Sequence, residues 1–246
     1  MTTRPPRLDA PYPLSDDHIA AYERDGFIKL KDGIPADVLE RYAREITDRV
    51  LEIAPGDAPL EERDTYGRAF LQVTNLWRRS EPVKELVLGE RLGRIAAELM
   101  RVDGTRLYHD QALYKEPGGG FTPWHADQYY WPLATDRCIT AWIPLQPTPV
   151  EMGALAFAVG SQYVEIGRDI PISDESETLL QEELERAGLE YSVTPYDLGE
   201  VSFHSGWTFH RAGPNRTDAP RRVMTVIYMD RDMRLAEPGN DHQVAD

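Results

Sequence analysis

The part of the chain from residue 105 to residue 230 is a succession of short strand patterns separated by turns, and this succession restricts the fold more than any other feature. Turn signals such as Pro117 followed by Gly118, Gly119 and Gly120 separate the strands. Several short strands joined by turns are typical of a β-barrel or a double-sheet jelly roll. We therefore predict a mainly β core. The predicted strands cover residues 107–115, 121–130, 138–145, 154–159, 200–204, 208–212 and 222–228.

The first 104 residues have helical periodicity and are predicted to form a layer on this core. Ser15 is suited to cap a first helix, Gly26 is suited to end it, and residues 27–30 fit a short strand. A second amphipathic helix is expected to start at Pro35. Its apolar face is predicted to contain Val38, Leu39, Tyr42, Ile46, Val50 and Leu51.

Two further helices complete the predicted organisation. Residues 81–100 have the pattern of one continuous helix, and an acidic helix at about 174–187 is predicted to interrupt the strands. A chain of 246 residues is long for one unit, yet all-β barrels and sandwiches reach this length. We therefore expect a single domain, residues 1–246, with flanking helices around a jelly-roll, cupin-like core.

The charge and the cysteine content restrict partners and location. With 42 acidic and 27 basic residues, the formal net charge of −15 argues against nucleic acid and against an anionic membrane surface, since both favour basic patches. Cys138 is the single cysteine, so no intrachain disulfide is possible, and we expect it in a buried strand. The sequence contains neither a signal-peptide pattern nor an apolar run of transmembrane length. These features predict a soluble, cytoplasmic protein.

The sequence also contains a pattern suited to metal binding. His125 and Asp127 alternate around Ala126, and residues two apart on a strand point to the same side. With His210 they supply two imidazoles and one carboxylate, a set that can hold Fe(II) and leave other positions open. Taken alone, His-x-Asp is a weak signal, and the alternative is an imidazole–carboxylate pair on an exposed strand. The neighbouring aromatic side chains favour a walled cavity instead: Trp124, Tyr129, Tyr130 and Trp131.

The other four histidines are not predicted to be ligands. His18 and His242 lie in polar segments and are expected to be solvated. His109 and His204 fall in predicted strands, where a hydrogen-bonded histidine of the core, or one that supports a metal ligand, is the more frequent case.

An arginine follows the distal histidine at a distance of eleven residues, at Arg221, where the last predicted strand begins. An arginine that points into a barrel is costly unless an anion pairs with it. A dicarboxylate co-substrate would be such an anion, held by a bidentate contact. In the alternative interpretation, Arg221 and Arg222 both face solvent.

Several motifs in this order resemble the phytanoyl-CoA dioxygenase family of Fe(II)- and 2-oxoglutarate-dependent oxygenases. The resemblance implies a double-stranded β-helix core. It spans most of the chain, with weaker matches in residues 25–28 and 72–77. The motifs that carry it are Tyr114-Lys115-Glu116-Pro117-Gly118-Gly119-Gly120, Trp124-His125-Ala126-Asp127-Gln128-Tyr129-Tyr130-Trp131, Thr140-Ala141-Trp142-Ile143-Pro144-Leu145, Met152-Gly153-Ala154-Leu155, and His210-Arg211-Ala212-Gly213-Pro214-Asn215 through Pro220-Arg221-Arg222.

The resemblance assigns roles to individual residues. It makes His125, Asp127 and His210 the iron ligands and Arg221 the clamp for the distal carboxylate of 2-oxoglutarate, with the eleven-residue spacing favouring Arg221 over Arg222. It makes Trp142 a residue of the same site. Further co-substrate contacts are expected from Gln72, Gln111 and Thr140. Candidate substrate-pocket residues, each equally explicable by core packing, are Asn75, Phe121, Tyr129 and Trp131.

The sequence departs from the family pattern at two places. Arg211-Ala212-Gly213 stands where many relatives have Gly-Ser-Gly, and Gly160-Ser161-Gln162 stands where they often have Gly-Ser-His. The first change removes a hydroxyl that could bind the co-substrate. Asp127 keeps the carboxylate that related halogenases lack, so halogenation is disfavoured.

The sequence therefore predicts a dioxygenase that uses Fe(II), 2-oxoglutarate and dioxygen to hydroxylate or otherwise oxidise an aliphatic C–H of a small molecule, with release of succinate and CO2. Ascorbate is expected to stimulate it. A small polar metabolite or biosynthetic intermediate is the expected substrate, since the acidic composition gives no support for a coenzyme A groove. The alternatives are a cupin-like hydrolase or isomerase that uses Zn(II) or Mn(II), and a non-catalytic small-molecule binding protein.

Overall fold

The computed structural model describes residues 6–54, 60–63, 67 and 69–245. The helices are α1 Asp16–Asp25, α2 Ala36–Ile53, α3 Glu81–Val87, α4 Glu90–Leu99, α5 Asp174–Arg186 and α6 Asp241–Ala245. The strands are β1 Phe27–Leu30, β2 Leu71–Thr74, β3 Thr105–Lys115, β4 Thr122–His125, β5 Cys138–Pro144, β6 Leu155–Ala158, β7 Tyr191–Val193, β8 Val201–Ser205, β9 His210–Ala212 and β10 Arg221–Asp230. Within these described ranges, no helix has both the length and the apolar character needed to cross a membrane.

The predicted boundaries of α1 are confirmed, and the caps explain them. The Ser15 hydroxyl accepts a hydrogen bond from the backbone N–H of His18, and His18 Nδ1 accepts one from the Ser15 N–H. Gly26 ends the helix with φ of 80°, a left-handed conformation that glycine adopts without steric cost, and its N–H donates to the Tyr22 carbonyl. β1 follows directly, as predicted.

The apolar face of α2 is confirmed except at one position. Val38, Leu39, Tyr42, Ile46 and Val50 are buried, whereas Leu51 is 54% exposed. The prediction for Leu51 was wrong because each helical residue turns by about 100°, which moves Leu51 from the buried face of Val50 toward solvent.

The predicted helix at 81–100 is two helices. Ser80 caps α3 by accepting a hydrogen bond from the Val83 N–H, and Gly89 separates α3 from α4 with an extended backbone at ψ of 127°. Arg91, in the first turn of α4, is buried and donates to the carbonyls of Gly33 and Asp32. The break at Gly89 is thus followed by a buried guanidinium that binds the loop after β1. The apolar residues at helical spacing in residues 81–100 are nevertheless buried: Val83, Leu86, Val87, Leu92, Ile95, Ala96 and Leu99.

The strands form two antiparallel sheets. The larger sheet has the order β1-β8-β5-β10-β3-β2 and the smaller sheet the order β4-β9-β6-β7. Trp142 and Val223 of the larger sheet pack in one apolar cluster with Leu155, Phe157 and Ala212 of the smaller sheet, so the two sheets face each other. The predicted class is confirmed as mainly β with flanking helices. β2 and β7 were not predicted as strands.

The register of the larger sheet determines which side chains share its inner face. Thr225 lies opposite Gln111 of β3 on one side and Trp142 of β5 on the other. Two residues further along β10, Ile227 lies opposite Thr140. Thr140 in turn lies opposite His204 of β8. Because side chains alternate between faces, these rows bring residues that are distant in sequence to one surface.

Candidate functional site

The three predicted ligands lie close together at one end of the strand pair β4 and β9. His125 is the last residue of β4 and pairs with His210, the first residue of β9. Nε2 of His125 lies 3.7 Å from Oδ1 of Asp127, and Nε2 of His210 lies 3.6 Å from the same oxygen. One potential ligand atom from each residue falls within 4.8 Å of the others. This is the predicted set of two imidazoles and one carboxylate.

The strand predicted over residues 121–130 is shorter than expected. β4 ends at His125, and Asp127 begins a 3-10 helix, Asp127–Tyr130. Ala126 between them keeps an extended backbone, with φ of −121° and ψ of 131°. The alternation therefore continues for one residue beyond the strand, and Asp127 still faces the same side as His125.

The ring orientation of both histidines is set by the backbone. Nδ1 of His125 lies 2.8 Å from the Pro123 carbonyl, and Nδ1 of His210 lies 3.0 Å from the Thr208 carbonyl. A carbonyl only accepts, so each Nδ1 carries the proton and each Nε2 presents its lone pair toward Asp127.

The protonation states also suit a metal. Burial lowers the pKa of His125 and of His210 to about 4, so both rings are neutral near neutral pH. Burial alone would raise the pKa of Asp127, but the imidazoles of His210, His204 and His125 outweigh it and hold the pKa well below its usual range. Neutral imidazoles with an ionised carboxylate are the state that metal coordination requires. The donor set fits Fe(II).

The acidic helix α5 supports the strand that carries His125. The backbone N–H of Trp124 donates to Oε2 of Glu177 at 2.9 Å, and the Ser176 hydroxyl donates to the Trp124 carbonyl at 3.3 Å. Arg211 forms an ion pair with Oε1 of Glu177 at 2.5 Å. The departure from the family pattern at Arg211 thus joins β9 to the same helix, on the side away from the cluster.

The cluster lines a cavity of about 570 Å³. Six predicted co-substrate or substrate residues also line it: Gln72, Gln111, Trp131, Thr140, Trp142 and Arg221. Three predicted substrate residues do not. Asn75 adopts a left-handed backbone and accepts a hydrogen bond from Nε1 of Trp77. Phe121 does not line the cavity, whereas the next residue, Thr122, does. Tyr129 does not line the cavity, whereas the next residue, Tyr130, does.

Arg221 is the buried cation of this cavity. It is 2% exposed, its Nη1 donates to the Gly153 carbonyl at 2.7 Å, and its Nε finds no hydrogen-bond partner in the described part of the chain. Its Cζ lies 5.7 Å from the centre of the Trp142 ring. Burial lowers the pKa of Arg221 to about 10, so the guanidinium stays charged. A buried guanidinium with an unused N–H is suited to a carboxylate. Arg222 points elsewhere and donates to Gln146.

His242 and His204 also contact residues of this site. His242, expected to be solvated, lines the cavity and lies 5.3 Å from Tyr130 between ring centres. Its helix α6 is attached where Nε2 of Gln243 donates to the Tyr129 carbonyl at 2.8 Å. His204 was expected to be a core histidine or a support of a ligand, and its Nε2 lies 3.2 Å from Oδ2 of Asp127. Nothing local in the sequence distinguishes His242 from a surface histidine.

Lys115 is a second buried basic residue close to Arg221. The two residues are opposite each other in the register of β3 and β10. Nζ of Lys115 donates to the carbonyls of Gly213, at 2.9 Å, and Gly120. Burial, with the charge of Arg221 as the next cause, lowers the pKa of Lys115 to about 6. Lys115 thereby joins the loops that follow β3 and β9.

We expect Lys115 to make the stability of the metal-free protein depend on pH. The pKa of Lys115 is about 6 in the folded chain and has its ordinary value of 10.5 in the unfolded chain. At a pH between these two values, the unfolded chain binds a proton at Lys115 that the folded chain does not bind. The free energy of unfolding should therefore rise with pH in this window, by about 1.4 kcal/mol for each pH unit. Urea unfolding of the parent and of Lys115→Met, in chelator at about pH 6.5 and about pH 9.5, measures this rise. The parent and Lys84→Met should show it, and Lys115→Met should not. Lys84→Met, at an exposed position on α3, is the control, and an equal pH dependence in all three proteins would contradict the expectation.

Comparison with known proteins places these features in a wider group. A sequence profile described as "Phytanoyl-CoA dioxygenase (PhyH)" matches residues 22–223. The chain is 23% identical over 218 residues to a "Probable alpha-ketoglutarate-dependent hypophosphite dioxygenase" of Stutzerimonas stutzeri, covering 84% of this chain and 76% of that protein. It is 24% identical over 250 residues to the ectoine dioxygenase of Streptomyces coelicolor, covering 94% and 82%.

Solved structures show the same fold. The non-heme alpha ketoglutarate dependent carbocyclase SnoK from nogalamycin biosynthesis superposes with a TM-score of 0.77 at 24% identity, covering 96% of this chain and 93% of that one. EctD from S. alaskensis, solved with 2-oxoglutarate and 5-hydroxyectoine, superposes with a TM-score of 0.74 at 21% identity, covering 95% and 84%. The likeness extends over almost the whole chain.

Proposed function

The chain belongs to the phytanoyl-CoA dioxygenase family, and on that premise we propose that His125, Asp127 and His210 hold the iron of an Fe(II)- and 2-oxoglutarate-dependent dioxygenase. The chain is an enzyme of this class, and a hydrolase, an isomerase or a non-catalytic binding protein is not favoured. One observation carries the assignment of the site: the three ligands share a cavity with Arg221, a buried guanidinium that has an unused N–H.

The protein's own residues bind, orient and exclude water. Arg221 offers Nε to the distal carboxylate of 2-oxoglutarate, while the Gly153 carbonyl holds Nη1 and fixes the plane of the guanidinium. Trp142 and Leu155 form apolar walls beside it, which strengthens the ion pair by removing water. When bound, Fe(II) would activate dioxygen, the oxidant; conversion of 2-oxoglutarate to succinate and CO2 would supply two of the four electrons that reduce dioxygen, and the aliphatic C–H would supply the other two.

We propose that the substrate occupies the part of the cavity lined by Tyr130, Trp131, Ile172, Ile227 and His242. These side chains are aromatic or apolar, with the His242 imidazole as a polar group, and they suit a small molecule with a substantial apolar surface. Among the described lining residues, Arg221 is the one lysine or arginine. A coenzyme A carrier, whose phosphates need cations, is therefore disfavoured.

The reaction outcome follows from how the substrate is held. Hydroxylation is the default, and desaturation, epimerisation or ring closure need a different placement of the same C–H. Relatives include a protein described as a carbocyclase and one described as an epimerase, so the family leaves this choice open.

A single buried cysteine, Cys138, favours a reducing cytoplasmic location.

The test measures co-substrate binding and turnover separately. Anaerobically, 2-oxoglutarate should bind tightly only when Fe(II) is present. In air, with ascorbate, the protein should release succinate slowly even without substrate. Omission of iron or of dioxygen is the control and should stop succinate release. Succinate formation without iron, or failure to bind 2-oxoglutarate, would contradict the proposal. Turnover of a candidate substrate with Zn(II) but not Fe(II) would support a hydrolase instead.

A further inference from the structure

The two carboxylate oxygens of Asp127 have different surroundings. Oδ1 faces Nε2 of His125 and of His210, at 3.7 and 3.6 Å. Oδ2 accepts a hydrogen bond from the Thr140 hydroxyl at 2.8 Å and lies 3.2 Å from Nε2 of His204. One oxygen is therefore turned toward the other ligands, and the second is held from behind by two donors.

His204 must donate to Asp127 from Nε2. An unprotonated Nε2 would oppose its lone pair to those of the carboxylate, whereas Nε2–H makes a charge-assisted hydrogen bond. Nδ1 of His204 is buried without a partner among the described residues, so it is better placed as a bare acceptor than as an unused donor. His204 is 1% exposed and is not one of the three clustered ligands. Its ring supports the site without offering a lone pair to a metal.

Thr140 and His204 form one rigid unit. They are direct partners in the register of β5 and β8, in the middle of the larger sheet, and every residue of β5 is buried. Asp127 belongs to the segment after β4 of the smaller sheet. The hydrogen bonds to Oδ2 therefore tie a ligand that is carried by one sheet to the interior of the other.

We propose that Thr140 and His204 are positioning residues that lock Asp127 for coordination through Oδ1 alone, an inference that rests on the proposed function. Without the two donors the carboxylate would be free to rotate, which would cost metal affinity because Oδ1 would no longer be held toward His125 and His210. In this proposal Thr140, expected from the sequence to contact 2-oxoglutarate, acts on the metal ligand.

The first test compares variants of Thr140 by Mn(II) affinity, which needs neither turnover nor dioxygen. Thr140→Val keeps the shape and removes the hydroxyl, and it should weaken Mn(II) binding by about 10-fold or more. Thr140→Ser keeps a hydroxyl and should restore affinity to within about threefold of the parent. Thr148→Val removes another buried threonine hydroxyl, one that donates to the Gln146 carbonyl, and should leave Mn(II) affinity unchanged. Thermal melting of the metal-free proteins reports folding independently.

The second test compares variants of His204. His204→Leu should weaken Mn(II) binding by about 10- to 100-fold, and His204→Gln, which retains an N–H donor, should recover part of it. The double variant Thr140→Val/His204→Leu should lose less than the product of the single losses, because both donors act on the same oxygen.

These measurements separate the possible failures. A folded Thr140→Val protein that binds Mn(II) as tightly as the parent would overturn the proposal. So would a His204→Gln protein that loses Mn(II) as completely as His125→Ala, since His204 would then be a ligand. If the parent itself bound no Mn(II) or Fe(II), the proposed function would fail first.

Discussion

His210→Ala should abolish Fe(II)-dependent binding of 2-oxoglutarate and reduce succinate release by on the order of 1,000-fold or more. The physical reason is the small number of donors. The site has two imidazoles and one carboxylate, and loss of one imidazole leaves too few protein ligands to retain the metal and orient its partner. Anaerobic titration with Fe(II), followed by a succinate assay in air, measures both effects.

The matched control for this variant is His18→Ala. His18 belongs to the capping box of α1 and does not line the cavity. Its replacement should lower the free energy of unfolding by no more than about 1 kcal/mol and leave metal binding intact. A His210→Ala protein that is folded and still binds Fe(II) with parental affinity would exclude His210 as a ligand.

Arg221→Met should raise the KM for 2-oxoglutarate by on the order of 100-fold or more, while Fe(II) binding stays within about threefold of the parent. The guanidinium is buried, and its removal leaves the distal carboxylate of the co-substrate without a partner in a site of low polarity. The three proposed metal ligands lie on β4, on β9 and in the 3-10 helix after β4, so they keep their contacts when Arg221 of β10 is replaced.

The same variant should not destabilise the ligand-free protein. Arg221 is charged and buried, with an unused N–H and no carboxylate partner in the described ranges. Replacement by an apolar side chain of similar length removes that cost, so the free energy of unfolding without ligand should stay equal or rise. Arg222→Met is the control, because Arg222 donates to Gln146, and its KM for 2-oxoglutarate should change by less than about twofold. Equal effects of the two variants would contradict the assignment of the clamp to Arg221.

The sequence predicted most elements and all three clustered residues, because their signals are local. Alternation placed His125 and Asp127 on one side, and that relation survived although the strand ended at His125. Periodicity identified the buried faces of the helices. It wrongly included Leu51 in the buried face of α2, and it missed the break at Gly89, next to which a buried Arg91 binds distant carbonyls. A hydrogen bond between residues so far apart in sequence does not change the local hydrophobic pattern, so the pattern cannot predict it.

The sequence by itself determined the class of the fold and, through the family resemblance, the three candidate ligands and the candidate clamp Arg221, since residue type, periodicity and motifs are properties of short segments. Only the tertiary structure decided what surrounds them. Strand register put Thr140 beside His204 and turned both toward Oδ2 of Asp127, and packing brought His242 of the last helix to the cavity wall. Register and packing depend on pairings between distant parts of the chain, each selected by the burial of a whole sheet rather than by the residues that it brings together.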